Sequence, residues 1–244
     1  MSSQLQFQFG RELLPEYSIR VSNRARRARI DVSPFGEVQV VIPSRFNKKR
    51  VPQFLFEHYG WLRRVLDQIE QRRQEQPELY RPRPREIVLH ALGKSWRVSY
   101  RSGQHQRVKE TSLDGEPLLM VREEDYRHHL QEWLHEKARN SLTPWLRRKS
   151  SELKLDFRSS QIRSQKTRWG SCSSRGIISL NRNLLFLPRY LVSYLFLHEL
   201  CHTEFLNHSR RYWDLVAQFE PDFAQFEREL QIAYQHVPLW AYPD

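Results

Sequence analysis

Residues 197–213 read LHELCHTEFLNHSRRYW and place His198, Glu199, Cys201, His202 and His208 within one short stretch. Four residues advance an α-helix by about 400°, so His198 and His202 share a face one turn apart. Their imidazole nitrogens can then hold one ion. Glu199 follows the first histidine, where a carboxylate can act as base on an activated water without being a ligand. The pattern fixes only three identities in five positions, and chance produces it. Residues 135–139, HEKAR, begin the same way but put Arg139 where the second histidine belongs. That stretch reads as a surface patch.

Two features set 198–202 apart from 135–139. Tyr194, Leu195, Phe196 and Leu197 precede it, so the helix is buried as it arrives, and charged groups there are costly unless satisfied. His208 follows His202 by six residues. A helix opening at Pro188 and running to Leu206 can turn through Asn207 in the left-handed region and return His208 as third ligand. Metzincins have the same offset with a glycine at the turn, where this chain has Phe205. Glu220, Glu227 and Glu229 are the alternatives for the third position. Cys201 sits about 300° past His198 on the helix and reads, like Cys172, as a small structural residue. His58, His90, His105, His128, His129 and His236 read as ordinary core or surface histidines.

Upstream, QIRSQKTRWGSC and GIISLN predict a strand pair joined by CSSRG. Residues 124–153 predict a long helix with Leu130, Trp133, Leu134, Ala138, Leu142 and Trp145 on one face. Before it, EIVLHAL, KSWRVSYRS, QRVKE and PLLMV form a second β group, with turns at 92–93, 102–103 and 114–115. The Pro-rich QPELYRPRPRE predicts a hinge. Residues 47–74 carry Val51, Phe54, Leu55, His58, Trp61, Leu62, Val65 and Ile69 at helical spacing. YSIRVSN, RARRARIDVS and VQVVIP, with FGEV as a turn, predict a three-stranded meander. One or two helices cover 209–235. Strands collect early and helices late, which predicts an α+β fold. The expected parts are 1–80 (meander plus helix), 81–123 (second β group) and 124–244 (helical metal-binding core), joined in one compact body.

The chain has 244 residues, 12% aromatics and seven tryptophans, enough for a sizeable core. Its mean hydropathy of −0.74 reflects many arginines and glutamines. No apolar run approaches the roughly 18–20 residues of a membrane span, and the N-terminus lacks a signal-peptide pattern. Two cysteines offer no disulfide framework, so a cytoplasmic protein is expected. The net charge of +12 is uneven. Residues 1–85 carry 17 Lys+Arg against 9 Asp+Glu (+8), 86–187 carry 19 against 11 (+8), and 188–244 carry 4 against 8 (−4). A basic body with an acidic metal segment favours nucleic acid or another polyanion as a partner. The other reading of the same charge is a solvated surface.

Residues 166–213 resemble the core of the YgjP-like metallopeptidase domain family, which is related to SprT-like and WLM proteases. The carrying residues are Arg168–Cys172 (RWGSC), Ile178–Asn181 (ISLN), Pro188, 198–202 (HELCH), 207–209 (NHS) and Tyr212-Trp213. RARRAR before a turn, the VxVxIP ending and the WLRR helix extend the resemblance over most of the chain, loosely between about 75 and 160. It implies a β-rich N-terminal part packed on a minimal zincin core. His198, His202 and His208 would be Zn²⁺ ligands and Glu199 the catalytic acid/base.

Three ligands and an open position predict a zinc-dependent hydrolase acting on peptide bonds in a peptide or protein. One alternative substrate is a nucleotide phosphoanhydride, because arginine clusters suit phosphate. Another alternative is a nucleic-acid-associated protein docking through Arg20, Arg24, Arg26, Arg27 and Arg29. Arg168, Arg210, Arg211 and Tyr212 are the candidate transition-state stabilisers, and Trp169 and Trp213 read as braces.

Overall fold

The computed structural model describes residues 14–103, 106–166 and 168–243. His105 and the segment 1–13, read above for its lack of a signal pattern, lie outside them. The chain divides into two compact units, the first ending at Pro77 and the second beginning at Glu78. That division falls within the Pro-rich stretch. Among the described residues no helix is long and apolar enough to cross a membrane.

The first unit holds β1 (Tyr17–Ser22), β2 (Arg29–Val32) and β3 (Val38–Pro43). Alternation along β3 turns Val38, Val40 and Ile42 to one face, where Val51, Leu55 and Leu62 cover them. Strand order is β1-β3-β2, with β1 parallel and β2 antiparallel to β3. The expected meander is therefore corrected. Residues 23–28 carry the chain across the end of β3 instead of folding β2 back on β1. Gly36, at φ +89, makes the β2–β3 turn in a region that suits glycine. The expected helix over 47–74 is also divided, into a 3-10 turn (Lys48–Arg50), α1 (Val51–Glu57) and α2 (Tyr59–Glu75). His58 parts the two helices with φ −107 and ψ 10, outside the helical well. Val51, Leu55, Leu62 and Ile69 are buried, whereas Trp61 is 42% exposed.

The second unit opens with β4 (Glu86–Leu89), β5 (Lys94–Arg101), β6 (Val108–Leu113) and β7 (Glu116–Arg122), in the order β4-β5-β7-β6. α3 (Tyr126–Leu153) follows, and all six residues of its predicted face are buried. Next come β8 (Ser159–Arg163), β9 (Gly170–Cys172) and β10 (Ile177–Asn181), then α4 (Arg189–Cys201), α5 (Arg210–Phe219) and α6 (Phe223–Ile232). The strand expected over QIRSQKTRWGSC is really two, β8 and β9, lying on opposite sides of β10. α4 begins where the Pro188 carbonyl accepts from the Leu191 and Val192 amides. It is apolar nearly all round, with Leu191, Val192, Leu195, Phe196, Leu197 and Leu200 buried, as a helix inside a core must be. Phe196 meets Trp145 of α3 edge-on at 5.1 Å. The helix ends at Cys201, not Leu206, and its last turn tightens at Thr203. Both the amide and the hydroxyl of Thr203 donate to the Leu200 carbonyl, at 3.0 and 2.7 Å.

All three sheets contain one arrangement. β1-β3-β2, β5-β7-β6 and β8-β10-β9 each place a strand parallel to the second arm of the hairpin that follows it. In each, the connection into the hairpin crosses the end of the central strand.

Candidate metal centre

His198 lies in the last turn of α4, His202 caps that helix, and His208 stands just before α5. Their Nε2 atoms converge: His202 to His208 is 3.2 Å and His208 to His198 is 3.3 Å. One ligand atom from each lies within 4.8 Å of the others. The opposite ring nitrogens are engaged. His202 Nδ1 is 2.9 Å from the Phe205 carbonyl, and His198 Nδ1 is 2.9 Å from Glu227 Oε1. A carbonyl only accepts, so His202 carries its proton on Nδ1, and the Glu227 carboxylate fixes the same tautomer at His198. Both Nε2 lone pairs then point at one spot, which His208 Nε2 also faces. Facing lone pairs need a proton or a metal cation between them. Burial, and His198 nearby, hold His202 and His208 below the ordinary histidine range, in the neutral ligating form. Three imidazoles converging on one point, two of them held by outer hydrogen bonds, are a donor set that fits zinc.

The chain reaches His208 without the expected left-handed Asn207. No residue there has positive φ. Glu204 and Phe205 donate to the Cys201 carbonyl, continuing helix-like bonds past the end of α4, so no glycine-type reversal is needed.

Aromatic rings hold the histidines. Tyr212, fully buried, donates to the His198 carbonyl at 3.1 Å and stacks on His202 at 4.5 Å. Trp213 stacks between His208, at 5.3 Å, and Phe223, at 5.1 Å. Tyr194 donates to Glu227 Oε1 at 2.6 Å, so that carboxylate is itself held. Trp169 donates to the Leu230 carbonyl at 3.0 Å and stacks on Tyr234.

Glu199 is 3% exposed, and its Oε2 has no hydrogen-bond partner among the described residues. Burial pushes its carboxyl up to about 7, against the pull of His198 and Arg168. Gly170 makes room for it. A Cβ on Gly170 would stand 2.8 Å from Glu199 Cδ and 2.9 Å from Cγ, and closer still to Oε1. The segment before β9 is pinned by Asn181, whose Nδ2 donates to the Gln165 and Arg168 carbonyls at 2.8 Å each. β9 is an edge strand. Trp169 and Ser173 exchange main-chain bonds with the β10 side, so by alternation the Gly170 and Cys172 amides and carbonyls face away from β10.

The remaining candidates are dispersed. Arg168 is exposed yet acts on Glu199. Arg210 is exposed and 4.0 Å from Asp214, and Arg211 is exposed. The Tyr212 hydroxyl is already committed to a carbonyl. Among the alternative third ligands, Glu227 backs His198, and Glu229 accepts from Tyr190 at 2.7 Å and Gln225 at 2.9 Å. Neither these nor Glu220 joins the cluster of ligand atoms. Burial lifts the Cys172 thiol to about 11 and the Cys201 thiol to about 12. The roles of Gly170, Asn181 and Tyr194 went unread in the sequence. The one available signal was a glycine inside a strand, which marks a close approach.

The family model of the YgjP-like metallopeptidase domain matches residues 26–233. Among solved structures, the metallopeptidase zymogen of Pyrococcus abyssi abylysin aligns at 24% identity and a TM-score of 0.34. That alignment covers 38% of this chain and 95% of abylysin. No curated protein matches.

Proposed function

Because the chain belongs to the YgjP-like metallopeptidase family, we propose that it is a zinc peptidase. Its ligands are His198, His202 and His208, and its acid/base is Glu199. The convergence of three Nε2 atoms whose rings are fixed from behind carries this reading. Bound zinc would supply Lewis acidity and a water acidified to lose its proton near neutral pH.

The protein's own part begins with Glu199. Burial favours the protonated form of its carboxyl, which suits a group that serves first as base and then as acid. Its unpartnered Oε2 is the free acceptor for that proton. Glu227 and Tyr194 keep the His198 ring turned, and Asn181 and Gly170 keep β9 against the carboxylate. The outward main-chain groups of Gly170 and Cys172 suit an extended peptide added to the sheet edge, which favours a peptide over a nucleotide. Arg168, the exposed cation acting on Glu199, is the stabiliser we favour for the developing oxyanion.

The test is zinc content and peptide turnover together. The purified protein should hold one zinc per chain and cleave members of a peptide library. It should lose both on chelation and recover both with zinc. His198→Ala should hold none. Stoichiometric zinc in His198→Ala would overturn the ligand set, and zinc without turnover of any peptide would overturn the substrate class.

A further inference from the structure

The first unit gathers cations at one end of its sheet. β1 and β3 are parallel and in register, Ser22 beside Pro43, so the chain leaves both strands at the same end. Residues 23–28 then pass the end of β3 to reach β2, and residues 44–50 leave β3 at that same end. Arg24, Arg26 and Arg27 stand exposed on the first segment. Arg45, Lys48, Lys49 and Arg50 stand exposed on the second.

Neither segment contains a carboxylate. Asp31, on β2, is already engaged by Arg29 at 3.0 Å and Arg20 at 4.0 Å. Among the described residues none of these cations has an ion-pair partner. Their arrangement is fixed by the core, because Ala28 of one segment and Phe46 of the other pack on the same buried cluster. Like charges held together without counter-charges repel, so the sheet end is complementary to an anion that lies outside this unit.

We propose that this end of the first unit binds the phosphodiester backbone of nucleic acid. Strands lie about 4.8 Å apart, so β1 to β2 spans about 10 Å, a length over which a duplex presents about six charges at one per 1.7 Å. Arginine predominates in the cluster, and its planar fork suits phosphate oxygens. Ala28 and Phe46, apolar residues of the two segments, pack on the buried cluster instead of standing out to meet a lipid surface. The exposed side chains at this sheet end are cations suited to phosphate contacts, so binding is independent of sequence.

The full-length protein is titrated against a short mixed-sequence DNA duplex and an RNA strand of equal length, by fluorescence anisotropy at several salt concentrations. Binding to at least one should weaken with salt with a log–log slope of about −3 to −6, a loss of about 60- to 4,000-fold between 50 and 200 mM. Arg24→Ala/Arg26→Ala/Arg27→Ala and Lys48→Ala/Lys49→Ala/Arg50→Ala should each make that slope shallower by up to about 3. Their thermal melts and zinc content should match wild type. Arg101→Ala/Lys109→Ala, in the second unit, should leave the slope unchanged. The proposal falls if neither nucleic acid shows salt-dependent binding, or if both triple variants bind as the wild type does. It falls equally if polyglutamate or anionic vesicles bind while DNA and RNA do not.

Discussion

The dipeptide His-Glu occurs on two helices, and the surroundings of the two copies differ. On α3, His135 is half-buried, and burial together with Arg182 and Arg139 lowers its pKa. Glu136 is exposed and lies 4.0 Å from Arg139. On α4, Glu199 is buried over a glycine, His198 is turned by Glu227, and the next position on that face is His202 rather than a cation. The chemistry resides in the groups behind the motif. His198 has its far nitrogen fixed, and Glu199 is buried with Oε2 unpartnered among the described residues.

The comparison breaks most visibly at the carboxylates. Glu199→Gln should cut peptide turnover by about 10²- to 10⁴-fold, the worth of a positioned acid/base, while zinc content stays at one. Glu136→Gln should leave turnover as it was, and equal losses in the two variants would erase the distinction. Next is the support behind the histidine. Glu227→Gln should weaken zinc binding by about 10- to 100-fold, as loss of an outer hydrogen bond does, read by competition with a chromophoric chelator. An unchanged affinity would mean that His198 needs no orienting partner.

Gly170→Ala forces a methyl into Glu199 and should destabilise the protein by about 1–3 kcal/mol through overpacking, measured by denaturant melts. Combining it with Glu199→Ala should restore most of that loss, because the two sites share one contact. The smallest effect belongs to His135. Its folded pKa is lowered while the unfolded chain titrates near 6.5, so the unfolded state binds the proton first. Its contribution is complete above about pH 6.5 and is lost as pH falls toward the folded value. In the zinc-free protein His135→Gln should lose slightly less melting temperature on acidification than wild type does. A steeper loss would reverse the sign.

The sequence was most legible where side chains repeat along one element. Every residue of the predicted α3 face is buried, because a 3.6-residue period needs no knowledge of the partner. The three histidines were legible for the same reason, since their spacings are local. Strand partners were not. Parallel pairing of β1 with β3, or β8 with β10, depends on where the chain crosses, and alternation says only which face is inward. Glu227 was visible as a carboxylate, but its place behind His198 spans 29 residues and is set by how α6 docks on α4. The early end of α4 comes with a tightened last turn, in which the Thr203 amide and hydroxyl both bond back to the Leu200 carbonyl.

The crossed three-strand arrangement also bears on the order in which this protein assembles. The hairpin of β9 and β10 closes through residues 173–176, a local event on the scale of microseconds. β8 can dock only after the intervening crossing has been laid over the end of β10, a less local closure with a larger entropic cost. The expected order therefore sets Gly170 in its hairpin before β8 pairs. Substitutions in 173–176 should slow refolding, whereas substitutions at the β8 register should mainly hasten unfolding.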